Sequence, residues 1–147
     1  MLLKYIGSLI GSVILTYFLL KIVPLMQHSD ILAAAGVIST VSGILFGFVL
    51  ATISIFSSAG GNSSGIIKAL KSNDILQSII SKLLAAGATL ITACVISLVA
   101  MFTSEKMLIE SQRLEFILII ESLSLLIISV IIFGFTWRKI NWILPHI

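Results

Sequence analysis

Two ionisable side chains stand inside long apolar runs and are the first candidates for chemistry: Lys21 and Glu121. Lys21 falls near the end of the first run and Glu121 near the start of the fourth. These two runs cross in opposite directions, so the two charges are expected at similar depth, each about 8–9 Å inside its boundary at about 1.5 Å per residue. A charge inside a membrane is costly and pairs, snorkels or faces water. A Lys21–Glu121 ion pair holding the two spans together is one reading. In the other, Lys21 snorkels outward and Glu121 faces an aqueous lumen or is protonated. Ser122, Ser124 and Ser129 make the fourth run the most polar, and with Lys21 and Glu121 they form the pore or ion-path candidates. Repeated around an oligomer, a lumen-facing Glu121 makes an acidic ring, which favours cations.

Other chemistry finds little support. There is no HExxH, Walker loop or GxSxG. Cys94 is the single cysteine and lies within an apolar run, which excludes an intrachain disulfide. His28 and His146 are expected on opposite sides of the membrane and form no common site. No catalytic residue, metal ligand set or cofactor is expected.

The elements that must position these residues are helices. The chain has 147 residues, 59% hydrophobic and 10% charged, and its mean hydropathy is +1.21. Soluble domains carry about 25% charged residues, so this chain cannot cover a water-facing surface. A span needs about 20 apolar residues, and four fit, at residues 5–26, 32–57, 83–103 and 116–137. Backbone in lipid must satisfy itself, so all four are helices. The expected fold is an all-α polytopic membrane protein, a bundle of four transmembrane helices in one membrane domain over residues 1–147. The first run is too long for a signal-peptide core, so it is read as an uncleaved span. Pro24 ends or kinks it.

The net charge is +3. Its cations flank the spans, which points to orientation and anionic lipid rather than direct nucleic-acid binding. Lys4, the cluster Lys68, Lys71 and Lys82, and Arg138 with Lys139 place both termini and the second connection in the cytoplasm. Tyr5, Trp137 and Trp142 then belong to an interfacial aromatic belt. The connection over residues 59–82 opens on a glycine- and serine-rich turn and continues as a short amphipathic helix, with Ser72 or Asn73 capping a restart into span three. Lys68, Lys71 and Asp74 make it the candidate partner or trigger loop, although a connector lying on lipid is the simpler explanation of the same pattern.

Small residues mark candidate packing or oligomer surfaces. Gly7 and Gly11 form a GxxxG in span one. Gly36, Thr40, Gly43, Gly47, Ala51 and Ser54 recur every three or four residues in span two, which is therefore the expected central helix. Ala86, Ala93, Ser97 and Ala100 do the same in span three.

The layout resembles the small four-span exclusion proteins of lambdoid phage (the RexB type) and four-span effectors of bacterial anti-phage systems. The resemblance rests on Tyr17-Phe18-Leu19-Leu20-Lys21-Ile22-Val23-Pro24, on a second span ending in Ile53-Ser54-Ile55-Phe56-Ser57, and on a basic loop with Lys68 and Lys71 before two further spans. It implies an inner-membrane protein that depolarises or permeabilises the membrane when a cytoplasmic partner senses infection, and it assigns no catalytic residue. The expected function is an oligomeric ion-conducting effector. A non-conducting binding subunit (an immunity, superinfection-exclusion or scaffold protein) and a phage holin are the alternatives.

Overall fold

A computed structural model describes residues 2–59, 75–104, 106–109 and 112–143. Four helices dominate it: α1 (Leu2–Ile22), α2 (His28–Ala59), α3 (Ile75–Phe102) and α4 (Leu114–Ile143). Each contains a stretch long and apolar enough to cross a membrane. The protein is an all-α bundle, as its composition requires.

Local signals explain the boundaries. The residue before a proline avoids helical backbone, and α1 closes just short of Pro24, its last turn capped by Val23 N–H donating to Leu19 O at 2.8 Å. The α1–α2 connection is correspondingly tight. Gln27 O accepts from Asp30 N and Ile31 N, at 3.1 and 3.0 Å, which starts α2. Asp30 and Glu115 stand in the first turns of α2 and α4, where negative charge suits the helix dipole. The expected amphipathic helix, with Lys68, Lys71 and Asp74, lies outside the described residues. From Ile75 onward the chain is continuous with α3.

Between α3 and α4 the chain forms a feature that hydropathy does not signal. β1 (Leu108–Ile109) pairs antiparallel with β2 (Gln112–Arg113), Leu108 opposite Arg113 and Ile109 opposite Gln112. Leu114 N–H donates to Met107 O at 2.9 Å, tying this small hairpin to the start of α4.

The packing corrects the expected centre of the bundle. α3 packs most extensively, against both α2 and α4, while α1 rests chiefly on α4. Half of the α3 span is buried, compared with 22% for α2. The reason is which way the small residues point. On α2 the buried face is Ile31, Ala35, Ile38, Ser42 and Val49. Gly36, Thr40, Gly43, Gly47, Ala51 and Ser54 sit about 150° around the helix, at about 100° per residue, and most of them are exposed. On α3, Ala85, Ala86, Ala93, Ser97 and Ala100 are buried, and Gly87 lets the helix approach Phe46 and Val49 of α2.

The core divides into two apolar clusters. One joins Ile31, Ala35 and Ile38 to Ala100, Phe116, Ile119 and Ile120 near the hairpin. The other joins Val49 to Ile79, Leu83 and Leu90 toward the opposite end. Buried hydroxyls fall between the two, including Ser42 on α2, Ser97 on α3, and Ser122, Ser124 and Ser129 on α4.

Candidate functional site

Glu121 is the centre of this hydroxyl layer. Its partners come from α1, where Ser8, Ser12 and Thr16 repeat every four residues and form a buried polar stripe. Ser12 Oγ lies 2.6 Å from Glu121 Oε1, and Thr16 Oγ1 lies 2.7 Å from Glu121 Oε2. Thr16 Oγ1 is also 2.8 Å from Ser124 Oγ, and Ser12 Oγ is 2.8 Å from Leu9 O. Each hydroxyl has one hydrogen, so in each case two acceptors compete for it. The hydroxyls can therefore change partners by bond rotation alone, without moving a helix.

The layer extends beyond the carboxylate. Thr89 of α3 hydrogen-bonds Ser129 of α4. Tyr5 Oη meets Thr92 Oγ1 at 2.9 Å, so Tyr5 turns its hydroxyl toward α3. Ser122 is buried but donates back to Ile119 O at 2.9 Å and does not join the network. Among the described residues no Lys, Arg or His forms an ion pair with Glu121.

Lys21 and Glu121 are not brought together. Lys21 is exposed, with Nζ 4.4 Å from the Tyr17 ring centroid, and it shares a groove with Ile109 and Gln112 of the hairpin. Glu121 is level with Ser12 and Thr16, one to three turns back along α1. The equal-depth expectation assumed that span one continues to Met26. It ends at Ile22 instead, so Lys21 reaches the end of the helix.

A second ionic cluster joins the two connections at the hairpin end. Glu115 is fully buried. His28 Nδ1 lies 2.6 Å from its Oε2, and Arg113 Nε lies 3.3 Å from its Oε1. Arg113 Nη2 donates to Met26 O. The Nε–Oε1 approach is an ion pair without hydrogen-bond alignment, since both atoms lack a hydrogen-bond partner. One carboxylate thus ties the start of α2 to the hairpin and the head of α4.

Sequence reasoning overlooked Ser12, Thr16 and the His28–Arg113–Glu115 cluster. The first two had a readable signal, hydroxyls at i and i+4 on one face of α1. The cluster had a weaker one, an acid, a base and an imidazole in two connections on the same side of the bundle. The small-residue positions differ among themselves. A Cβ on Gly11 would touch Ile128 at 3.5 Å, while a Cβ on Gly7, Gly36, Gly43 or Gly47 would meet nothing within 4 Å.

Comparison with family models, curated proteins and solved structures gave no match. The residues and their geometry therefore carry the functional argument.

The network makes one direct prediction. Thr16→Val keeps the side-chain shape and removes the donor to Glu121 Oε2. The expected loss is about 0.6–1.7 kcal/mol, the range of interhelical hydrogen bonds in membranes. Reversible unfolding in mixed micelles measures it. Ser12→Ala combined with Thr16→Val should cost more than the sum of the single changes, because it leaves both carboxylate oxygens without a donor.

Proposed function

We propose that this protein is an ion-conducting or membrane-permeabilising effector that acts as a homo-oligomer in a bacterial inner membrane, in the manner of the anti-phage effectors it resembles. The observation that carries this reading is Glu121, a carboxylate within a membrane span whose described contacts are the hydroxyls of Ser12 and Thr16 rather than a cation. Intramembrane acids facing polar partners mark ion paths more often than simple packing sites. The hydroxyls of Ser124, Ser129 and Thr89 extend polarity along the α1–α3–α4 contact, a surface cations could follow once subunits rearrange. The cationic flanks argue for cytoplasmic termini, and the basic loop over residues 59–82 is the natural place for a trigger protein to act.

The test is membrane potential in bacteria expressing the wild-type chain or Glu121→Gln, paired with cation flux in proteoliposomes. Glutamine preserves shape and removes the negative charge; its oxygen still accepts from one of the Ser12 and Thr16 hydroxyls, and its NH2 donates to the other. Depolarisation by wild type, reduced at least about tenfold in the variant, is expected if the carboxylate stabilises a passing cation by about 1.4 kcal/mol. Equal flux in the two would move the path away from Glu121.

One observation favours a non-conducting binding subunit instead. Both carboxylate oxygens of Glu121 are held by side chains of the same chain, which suits a purely structural polar clasp. On that reading, well-inserted protein gives no flux with or without its trigger, and Glu121→Gln changes only stability.

A further inference from the structure

At the hairpin end, an open groove of about 260 Å³ lies between α1, β1, β2 and the first turn of α4, lined by Tyr17, Leu20, Lys21, Ile109, Gln112 and Ile117. Its level is set by the spans. The apolar stretch of α1 ends at Ile22 and that of α4 begins at Leu114. The groove therefore straddles the boundary where acyl chains give way to headgroups. Its chemistry is divided the same way. Leu20 and Ile117 are apolar walls within the spans, while Lys21 and Gln112 stand at the margin.

Two polar features of the groove are unmet. Arg113, the neighbouring cation, is committed to Glu115 and to Met26 O. Among the described residues no acid pairs with Lys21. It is exposed, and its described contact is the ring face of Tyr17, which orients the ammonium without neutralising it. Gln112 Oε1 is buried and accepts no hydrogen bond, a state buried acceptors rarely keep. The groove is thus lined by a cation and by a residue whose acceptor is idle, above an apolar wall.

We propose that this groove binds a phospholipid whose headgroup carries both a phosphate and a hydrogen-bond donor. The phosphate diester sits against Lys21 Nζ and the Tyr17 hydroxyl. Rotation of the Gln112 side chain brings Oε1 out to the headgroup ammonium or glycerol hydroxyl, which donates to it, and one acyl chain follows Leu20 and Ile117. Charge complementarity selects a lipid phosphate as occupant, and the orphan acceptor separates lipid classes. Ethanolamine and glycerol headgroups bring an N–H or O–H donor, whereas a choline headgroup brings the same phosphate without one.

The test is native mass spectrometry of the full-length protein, delipidated in mild detergent and offered equimolar phosphatidylethanolamine, phosphatidylglycerol and phosphatidylcholine. The wild-type chain should retain one ethanolamine or glycerol lipid in clear preference to the choline lipid. Lys21→Gln should reduce retention of every class by about tenfold, the effect of losing one hydrogen bond to a charged group. Gln112→Leu should keep phosphate binding and erase the preference between classes. Lys21 is exposed, so its variant should unfold at the wild-type temperature. Ile117→Trp, which fills the groove, should lose the lipid with Lys21 intact. Equal retention of all three lipids by the wild type, or unchanged retention by Lys21→Gln, overturns the proposal.

Discussion

Arg113→Met should destabilise the bundle by about 1–3 kcal/mol, the cost of leaving a buried acceptor without its donor and weakening a buried carboxylate's ion pairing. Glu115 has no solvent access, so its carboxylate cannot recover the lost interaction from water. After the substitution its partner among the described residues is His28 Nδ1, at 2.6 Å. Met26 O loses its donor in the same step. Equilibrium unfolding in mixed micelles, followed by helix content, measures the change. The converse experiment separates the charge from the packing. Replacing a whole buried ion pair by apolar residues of similar volume is often close to neutral. Arg113→Met combined with Glu115→Leu should therefore recover much of the loss. If the double variant is as unstable as the sum of the single ones, the cluster does not act as a coupled pair and the hairpin depends on Arg113 through Met26 O alone.

That cluster also marks where the sequence stops being legible. The four helices follow from hydropathy because an apolar run of about 20 residues has few alternatives in lipid. Pro24 announces the end of α1, and Glu121 stands out as an acid in an apolar run. Packing is harder to read. Gly36, Gly43 and Gly47 were expected to centre α2, but periodicity finds a face without saying what it meets. The inward face of α2 is carried by larger residues, Ile31, Ile38 and Val49, against the small residues of α3. Depth is equally elusive. Lys21 and Glu121 look level when each span is measured from its own apolar boundary, yet the early stop at Ile22 and the hairpin at residues 108–113 shift them apart. The Ser12–Thr16–Glu121 contact depends on pairing α1 with α4, more than 100 residues away in sequence, and such pairing is not encoded in any local pattern.

The outward stripe of α2 yields the other large effect. Gly43→Leu with Gly47→Leu should leave the single chain at least as stable as wild type, since a Cβ at either position meets nothing within 4 Å. Leucine also has the better helix propensity, by up to about 1 kcal/mol per site. In an oligomer the outcome reverses. Helices associate in lipid by close backbone approach at small residues, with little hydrophobic drive. Two leucines hold the backbones apart along a whole helical turn. On the proposed function, crosslinking in proteoliposomes should therefore show an oligomer for wild type and a monomer for the variant, with cation flux falling alongside. Gly87→Leu supplies the contrasting control. Its Cβ would already touch Val49 Cγ1 at 3.4 Å and the Phe46 ring at 3.5 Å. The extra carbons overpack the α2–α3 contact, at a cost of about 1–3 kcal/mol to the fold itself. Loss of assembly with a stable monomer in the first variant, and loss of monomer stability in the second, assigns the α2 stripe to contacts between chains. If the leucine pair still crosslinks as wild type does, the subunits meet through another face, and α2 shows its glycines to lipid alone.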